Sequence, residues 1–109
     1  MIVITNFVRE AQVFKALSDD KRLQILDYLK NGETCACVLI DKLGIAQSAL
    51  SYHMKILCQS GIVSSRQEGK WKHYSLSTEG SQHALQLLTE VTNIQTEYIS
   101  NCQCQRKSS

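Results

Sequence analysis

The chain is most informative between residues 47 and 76, where it runs Gln47-Ser48-Ala49-Leu50-Ser51-Tyr52-His53-Met54-Lys55-Ile56-Leu57-Cys58-Gln59-Ser60-Gly61-Ile62-Val63-Ser64-Ser65-Arg66-Gln67-Glu68-Gly69-Lys70-Trp71-Lys72-His73-Tyr74-Ser75-Leu76. In the first half, Leu50, Met54, Leu57 and Cys58 recur three or four apart, on one stripe of a helix opened by Gln47 or Ser48. Ser48, Ser51, Tyr52 and Lys55 point away from that stripe, and none is a natural core residue. Gly61 closes the helix. In the second half, Ile62 to Gln67 and Trp71 to Leu76 alternate or carry β-branched and aromatic residues around Glu68-Gly69-Lys70. That is the pattern of a two-strand hairpin with a glycine turn.

Upstream, Gly44-Ile45-Ala46-Gln47 is a tight connection to a short helix expected from about Thr34 to Leu43, whose apolar members are Val38, Leu39 and Leu43. Before it, Ser18-Asp19-Asp20 reads as a helix start, with a side chain to cap free amides and acids against the positive dipole end. Leu23, Ile25, Leu26 and Leu29 supply that helix's apolar stripe, and Asn31-Gly32 ends it. Phe7, Ala11, Phe14 and Leu17 suggest a first short helix. Downstream, Ser77 or Thr78 begins a last helix in which Leu85, Leu88, Val91, Ile94 or Gln95, and Tyr98 recur. We expect it to exceed about 20 residues, longer than the mean helix. Its stripe has few partners within one small domain, which points to a second copy of the chain.

Helix, helix, helix, glycine turn, helix, hairpin, helix is the order of a winged helix-turn-helix: mainly α with a small β-hairpin, and homodimeric through the terminal helices. In that arrangement the short third helix braces the fourth, which lies in a major groove, and the hairpin reaches the flanking backbone. Residues 1–100 are expected to form a single DNA-binding and dimerisation domain, and 101–109 a flexible, cysteine-containing tail.

Composition fits one small domain. The 109 residues are 43% apolar, which excludes a disordered chain. No apolar run approaches the roughly 20 residues that cross a bilayer. The first ten residues lack a basic stretch and a small-residue cleavage site, so a cytoplasmic protein is expected. Five cysteines, an odd number, disfavour a disulfide scaffold and favour thiolate chemistry, metal or redox. The net charge of +2 is a sum of unlike parts. Ala46 to Tyr74 holds four basic residues and one acid, +3, whereas the remainder holds eight basic and nine acidic residues, −1. A local basic patch on a near-neutral chain suits a phosphate-binding face.

On that face Gln47, Ser48, Ser51, Tyr52 and His53 are candidates for base-edge and backbone contact, since amide, hydroxyl and imidazole groups can bond groove edges. The plain alternative is a solvated helix face. Lys55, Arg66, Lys70 and Lys72 are assigned to phosphates, which fix register without reading sequence. Trp71 and Tyr74 read as packing residues of the hairpin, and Cys58, on the inward stripe, as a structural thiol.

Cys35-Ala36-Cys37 is the sharpest chemical feature. Two thiols two residues apart at a helix start can turn toward one ion, and the helix N-terminus favours the thiolate that binds it. Soft thiolates select thiophilic ions over magnesium or calcium. Cys102-Gln103-Cys104, in the polar tail, offers two further thiols; the plain alternative is a chance pair of exposed ones. No acid pair, nucleophile–base constellation or phosphate loop argues for an enzyme.

Three stretches together resemble the ArsR/SmtB family of metal-responsive repressors. Phe14-Lys15-Ala16-Leu17-Ser18-Asp19-Asp20-Lys21-Arg22-Leu23-Gln24-Ile25-Leu26 is similar to its opening signature, Gln47 to Leu57 to its recognition helix, and Ser60 to Leu76 to its wing. The resemblance spans roughly residues 11 to 80. It implies a homodimeric repressor that sits on double-stranded operator DNA and lets go when a thiophilic ion binds. Glu33-Thr34-Cys35-Ala36-Cys37-Val38-Leu39 aligns with the family's Glu-Leu-Cys-Val-Cys-Asp-Leu sensing motif for arsenite, antimonite, cadmium or lead. Val38 replaces its aspartate, and Ile40 stands where the arsenite version has a third cysteine. Trivalent arsenic or antimony is therefore expected on Cys35 and Cys37 with Cys102, Cys104 or both, within the chain or across the dimer. A separate two-thiol site at the tail stays open. So do a cadmium or lead (Cd2+ or Pb2+) sensor on the same thiols and a thiol redox switch. The family's last-helix zinc site is disfavoured, because Ser81, His83, Ile94 and Glu97 fill its places.

Overall fold

The computed structural model describes residues 6–94. Helix α1, Val8–Ala16, leads into α2, Asp20–Leu29, whose start is capped by Asp19: its carboxylate accepts from the Arg22 N–H at 3.1 Å. A two-residue strand β1, Thr34–Cys35, precedes α3, Ala36–Leu43. Gly44, at φ 63°, ends α3 in the left-handed conformation that glycine adopts without strain, so the chain turns at once into α4, Gln47–Gln59. Strands β2, Val63–Glu68, and β3, Trp71–Leu76, form the hairpin around Gly69 and Lys70, and α5, Thr78–Val91, follows from a Ser77 cap.

The expected winged helix-turn-helix is present. Val13 and Ala16 of α1, Ile25 and Leu29 of α2, Ala36 and Leu39 of α3, and Leu50, Met54 and Leu57 of α4 close one core, which Tyr74 and Leu87 complete from β3 and α5. Helix α3 packs against α2, α4 and β3 together, so it is wedged between the helical body and the hairpin.

Three expectations change. Leu23 is half exposed, at 49%, and Arg22 takes the buried place on α2. The inward line is 22, 25 and 29, and a guanidinium can occupy it because its stem is apolar and its head finds carbonyl acceptors. Thr34 and Cys35 are not a first helical turn: they pair with Tyr74 and His73 and make the sheet three-stranded, in the order β1-β3-β2. Helix α5 has 14 residues rather than more than 20. It stops at Val91-Thr92-Asn93, poor helix formers, where the Thr92 hydroxyl donates back to the Leu88 carbonyl at 2.6 Å. Gln95, Tyr98 and the tail 101–109 lie outside the described residues.

Candidate functional site

Along α4 the buried stripe fixes what remains outside. With Leu50, Met54 and Leu57 in the core, Gln47, Ser48, Ser51, Tyr52 and Lys55 stand exposed in one polar band. His53 is placed differently. Its side chain is only 13% exposed, and Nδ1 lies 3.1 Å from an Arg22 guanidinium nitrogen. Because a guanidinium only donates, Nδ1 accepts, and the proton of the neutral ring sits on Nε2. Arg22 in turn donates from Nε to the Ala16 carbonyl at 3.0 Å and from its other terminal nitrogen to the Lys15 carbonyl at 3.1 Å. Arg22 thus pins α4 through His53 to the turn between α1 and α2. His53 belongs to this joint rather than to the exposed band.

Beside α4, a groove of about 490 Å³ opens toward the hairpin. Its floor is apolar, with Leu50, Met54 and Tyr74, and its rim carries Lys55, Lys70 and Lys72. Among the described residues these three lysines have no carboxylate partner. Trp71 and Tyr74 share this wall, Tyr74 buried and Trp71 at 36% exposure, and Cys58 is half-buried with its thiol pushed up by burial.

Arg66, the fourth cation assigned to phosphates, is committed elsewhere. Its Nε and one terminal nitrogen each donate to a different Glu33 oxygen at 2.8 Å, and its other terminal nitrogen meets Glu68 at 2.9 Å. The Arg66 bond holds the Glu33 carboxyl below the usual carboxylate range.

Cys35 is the last residue of β1 and the N-cap of α3. Its Sγ accepts the Cys37 amide N–H at 3.3 Å, and the two sulfurs converge to 2.6 Å. The hydrogen bond from the Cys37 thiol, followed by the amides of Cys37 and Val38, lowers the Cys35 pKa; the same thiol pair raises that of Cys37. As the acceptor of the Cys37 amide, Cys35 is the thiol more readily deprotonated. As two soft donors side by side, the sulfurs could hold a thiophilic ion. No group of three His, Cys, Asp or Glu side chains converges as a metal site among the described residues, and Cys102, Cys104 and Glu97 lie outside them. Ser81, His83 and Ile94 are exposed.

The sheet register joins these parts. Cys35 on β1, His73 on β3 and Arg66 on β2 form one row, so their side chains share a face. His73 Nε2 is 3.6 Å from Glu68. Sequence reading did not single out Glu33, His73 or Arg22. Glu33 entered only as the first residue of the aligned sensing motif, and neither its partner Arg66 nor the place of His73 beside it has a local signal, because strand register brings them together.

An exposed polar helix braced by a shorter one, with a lysine-rimmed hairpin alongside, defines a winged-helix DNA-binding protein. More narrowly, the chain belongs to the ArsR family of bacterial regulatory proteins, whose family model matches residues 19–65. It is 35% identical over 95 residues to an arsenical resistance operon repressor of Escherichia coli, covering 86% of this chain and 81% of that one. It is 38% identical over 91 residues to a cadmium resistance transcriptional regulatory protein CadC homolog of Staphylococcus aureus, covering 83% and 73%. An ArsR-like transcriptional regulator from Rhodococcus sp. RHA1 superposes with a TM-score of 0.70 at 26% identity, covering 83% of each chain. The protein is a DNA-binding transcriptional regulator and not an enzyme. No described helix is long and apolar enough to cross a membrane.

Proposed function

We propose that the protein is a homodimeric repressor that binds operator DNA through α4 and the hairpin and releases it when Cys35 and Cys37 take up trivalent arsenic or antimony. The observation that carries this reading is the position of the thiol pair: it caps the helix that braces α4. Gln47, Ser48, Ser51 and Tyr52 meet base edges and backbone, Lys55, Lys70 and Lys72 meet phosphates, and His53 sets the pitch of the reading helix from behind. The arsenical resistance repressor among the relatives favours a metalloid. The cadmium resistance regulator supports Cd2+ or Pb2+ on the same thiols as the second reading.

Dimerisation uses the terminal helices. Phe7 and Val8 at the start of α1, with Leu85, Leu88 and Val91 of α5 and Ile94 just beyond it, are each between 49% and 79% exposed. So many exposed apolar side chains on the two terminal segments suit a second copy better than water. Residues 1–100 act as one DNA-binding and dimerising unit, and Cys102 and Cys104 supply the ligands that the Cys35–Cys37 pair lacks.

Each thiolate–ion bond holds the first turn of α3 in a new geometry, and Leu39, fully buried against the core, carries that change to α4. A coupling of about 1–3 kcal/mol, or roughly 5- to 150-fold in operator affinity, is enough for release. Operator-binding titrations of the parent and of a Cys35→Ser/Cys37→Ser variant test it. The parent loses the operator in arsenite and the variant keeps it. Undiminished release from the variant would place the sensing site elsewhere.

A further inference from the structure

Arg66 lies in the basic segment, yet its surroundings are acidic. With Glu33 and Glu68 both bonded to it, the guanidinium's charge is already met by two carboxylates, which disfavour a phosphate there. The planar fork that would grip a phosphate is already spent on both oxygens of Glu33. The pair is half exposed, at 53% and 37%, so it adds little to stability. It fixes geometry instead. Glu33 sits two residues before Cys35, Arg66 lies on β2, and Cys35, His73 and Arg66 share one cross-strand row.

We propose that Arg66 is a latch and not a DNA contact: through Glu33 and Glu68 it ties the thiol-bearing strand to the wing, so that capture at Cys35 and Cys37 is relayed to the wing as well as to the reading helix. This rests on the sensing function proposed above. Two routes then leave the thiol pair, one through α3 to α4 and one through β1 and Arg66 to β2 and the turn that carries Lys70. Because β1 has only two residues, its ladder alone holds the wing weakly, and the bidentate pair makes the second route stiff.

The test uses the full chain with Glu33→Gln, Arg66→Gln and, as a phosphate-contact control, Lys70→Ala. Operator affinity is measured at several salt concentrations with and without arsenite, and arsenite binding is measured directly on the free protein. The latch predicts that the Glu33 and Arg66 variants bind arsenite like the parent and keep its salt slope and arsenite-free operator affinity. Both lose a large part of the arsenite-induced weakening, about fivefold or more of a coupling in the expected range. Lys70→Ala keeps that weakening and lowers the salt slope by up to about one. The proposal is overturned if Arg66→Gln lowers operator affinity and salt slope while Glu33→Gln, by freeing the guanidinium, tightens operator binding, with arsenite release unchanged in both. A parent chain that stays on its operator in arsenite, Cd2+ and Pb2+ alike overturns the sensing function itself, and shows this before any variant is made.

Discussion

Cys35 and Cys37 are chemically unequal although only one residue separates them. Cys35 caps α3, and its Sγ accepts the Cys37 amide N–H as well as lying against the Cys37 thiol, whereas the Cys37 sulfur has no amide donor of its own among the described hydrogen bonds. The signs follow: a lowered pKa puts Cys35 in its nucleophilic thiolate form at lower pH, and a raised one delays Cys37. Substoichiometric iodoacetamide on the ion-free protein near neutral pH should therefore mark Cys35 ahead of both Cys37 and the half-buried Cys58. Peptide mapping by mass spectrometry checks this, and equal labelling of Cys35 and Cys37 would refute the inequality. At this scale the sequence was legible wherever neighbours in the chain are also neighbours in space, as with the closeness of the two thiols. It was illegible at Arg22 and His53, because a buried arginine looks like a surface one until its carbonyl acceptors, six and seven residues back, are brought to it.

At the scale of elements, α4 and the hairpin were legible because 3.6-residue and two-residue periodicities differ so plainly, and Gly44 and Gly69 mark the turns. The strand β1 was not. Two residues carry no period, and what makes Thr34 and Cys35 a strand is the neighbouring edge of β3. Gly80, in the first turn of α5, serves close approach. A Cβ there would fall on the backbone carbonyl of Gly61, so α5 sits against the end of α4 only because this side chain is missing. Gly80→Ala is expected to destabilise the fold by about 1–3 kcal/mol despite its better helix propensity, since backbone rather than a flexible side chain must give way. Urea unfolding measures it; an unchanged or raised midpoint would mean that α5 is free to shift away.

At the scale of the molecule, the +2 net charge divides into a basic DNA-facing segment and a slightly acidic remainder, and the structure divides it once more. Arg66 is paired with Glu33 and Glu68 on the strand row that holds Cys35, while Lys55, Lys70 and Lys72 stay on the groove rim. Sign and segment were legible in the sequence; the partner of each charge was not, since Glu33 and Arg66 are 33 residues apart and meet only through the sheet. The same three-stranded sheet places Cys35 beside the hairpin, so the thiol pair, α3 and the hairpin form one connected body. The central claim is a thermodynamic linkage between thiol occupancy and operator binding, and linkage is reciprocal. The most direct measurement is the arsenite affinity of the free protein against that of the operator-bound protein, under identical conditions. We expect the operator-bound form to bind arsenite more weakly by about 5- to 150-fold, matching the loss of operator affinity in arsenite. Equal arsenite affinities in the two forms would contradict it.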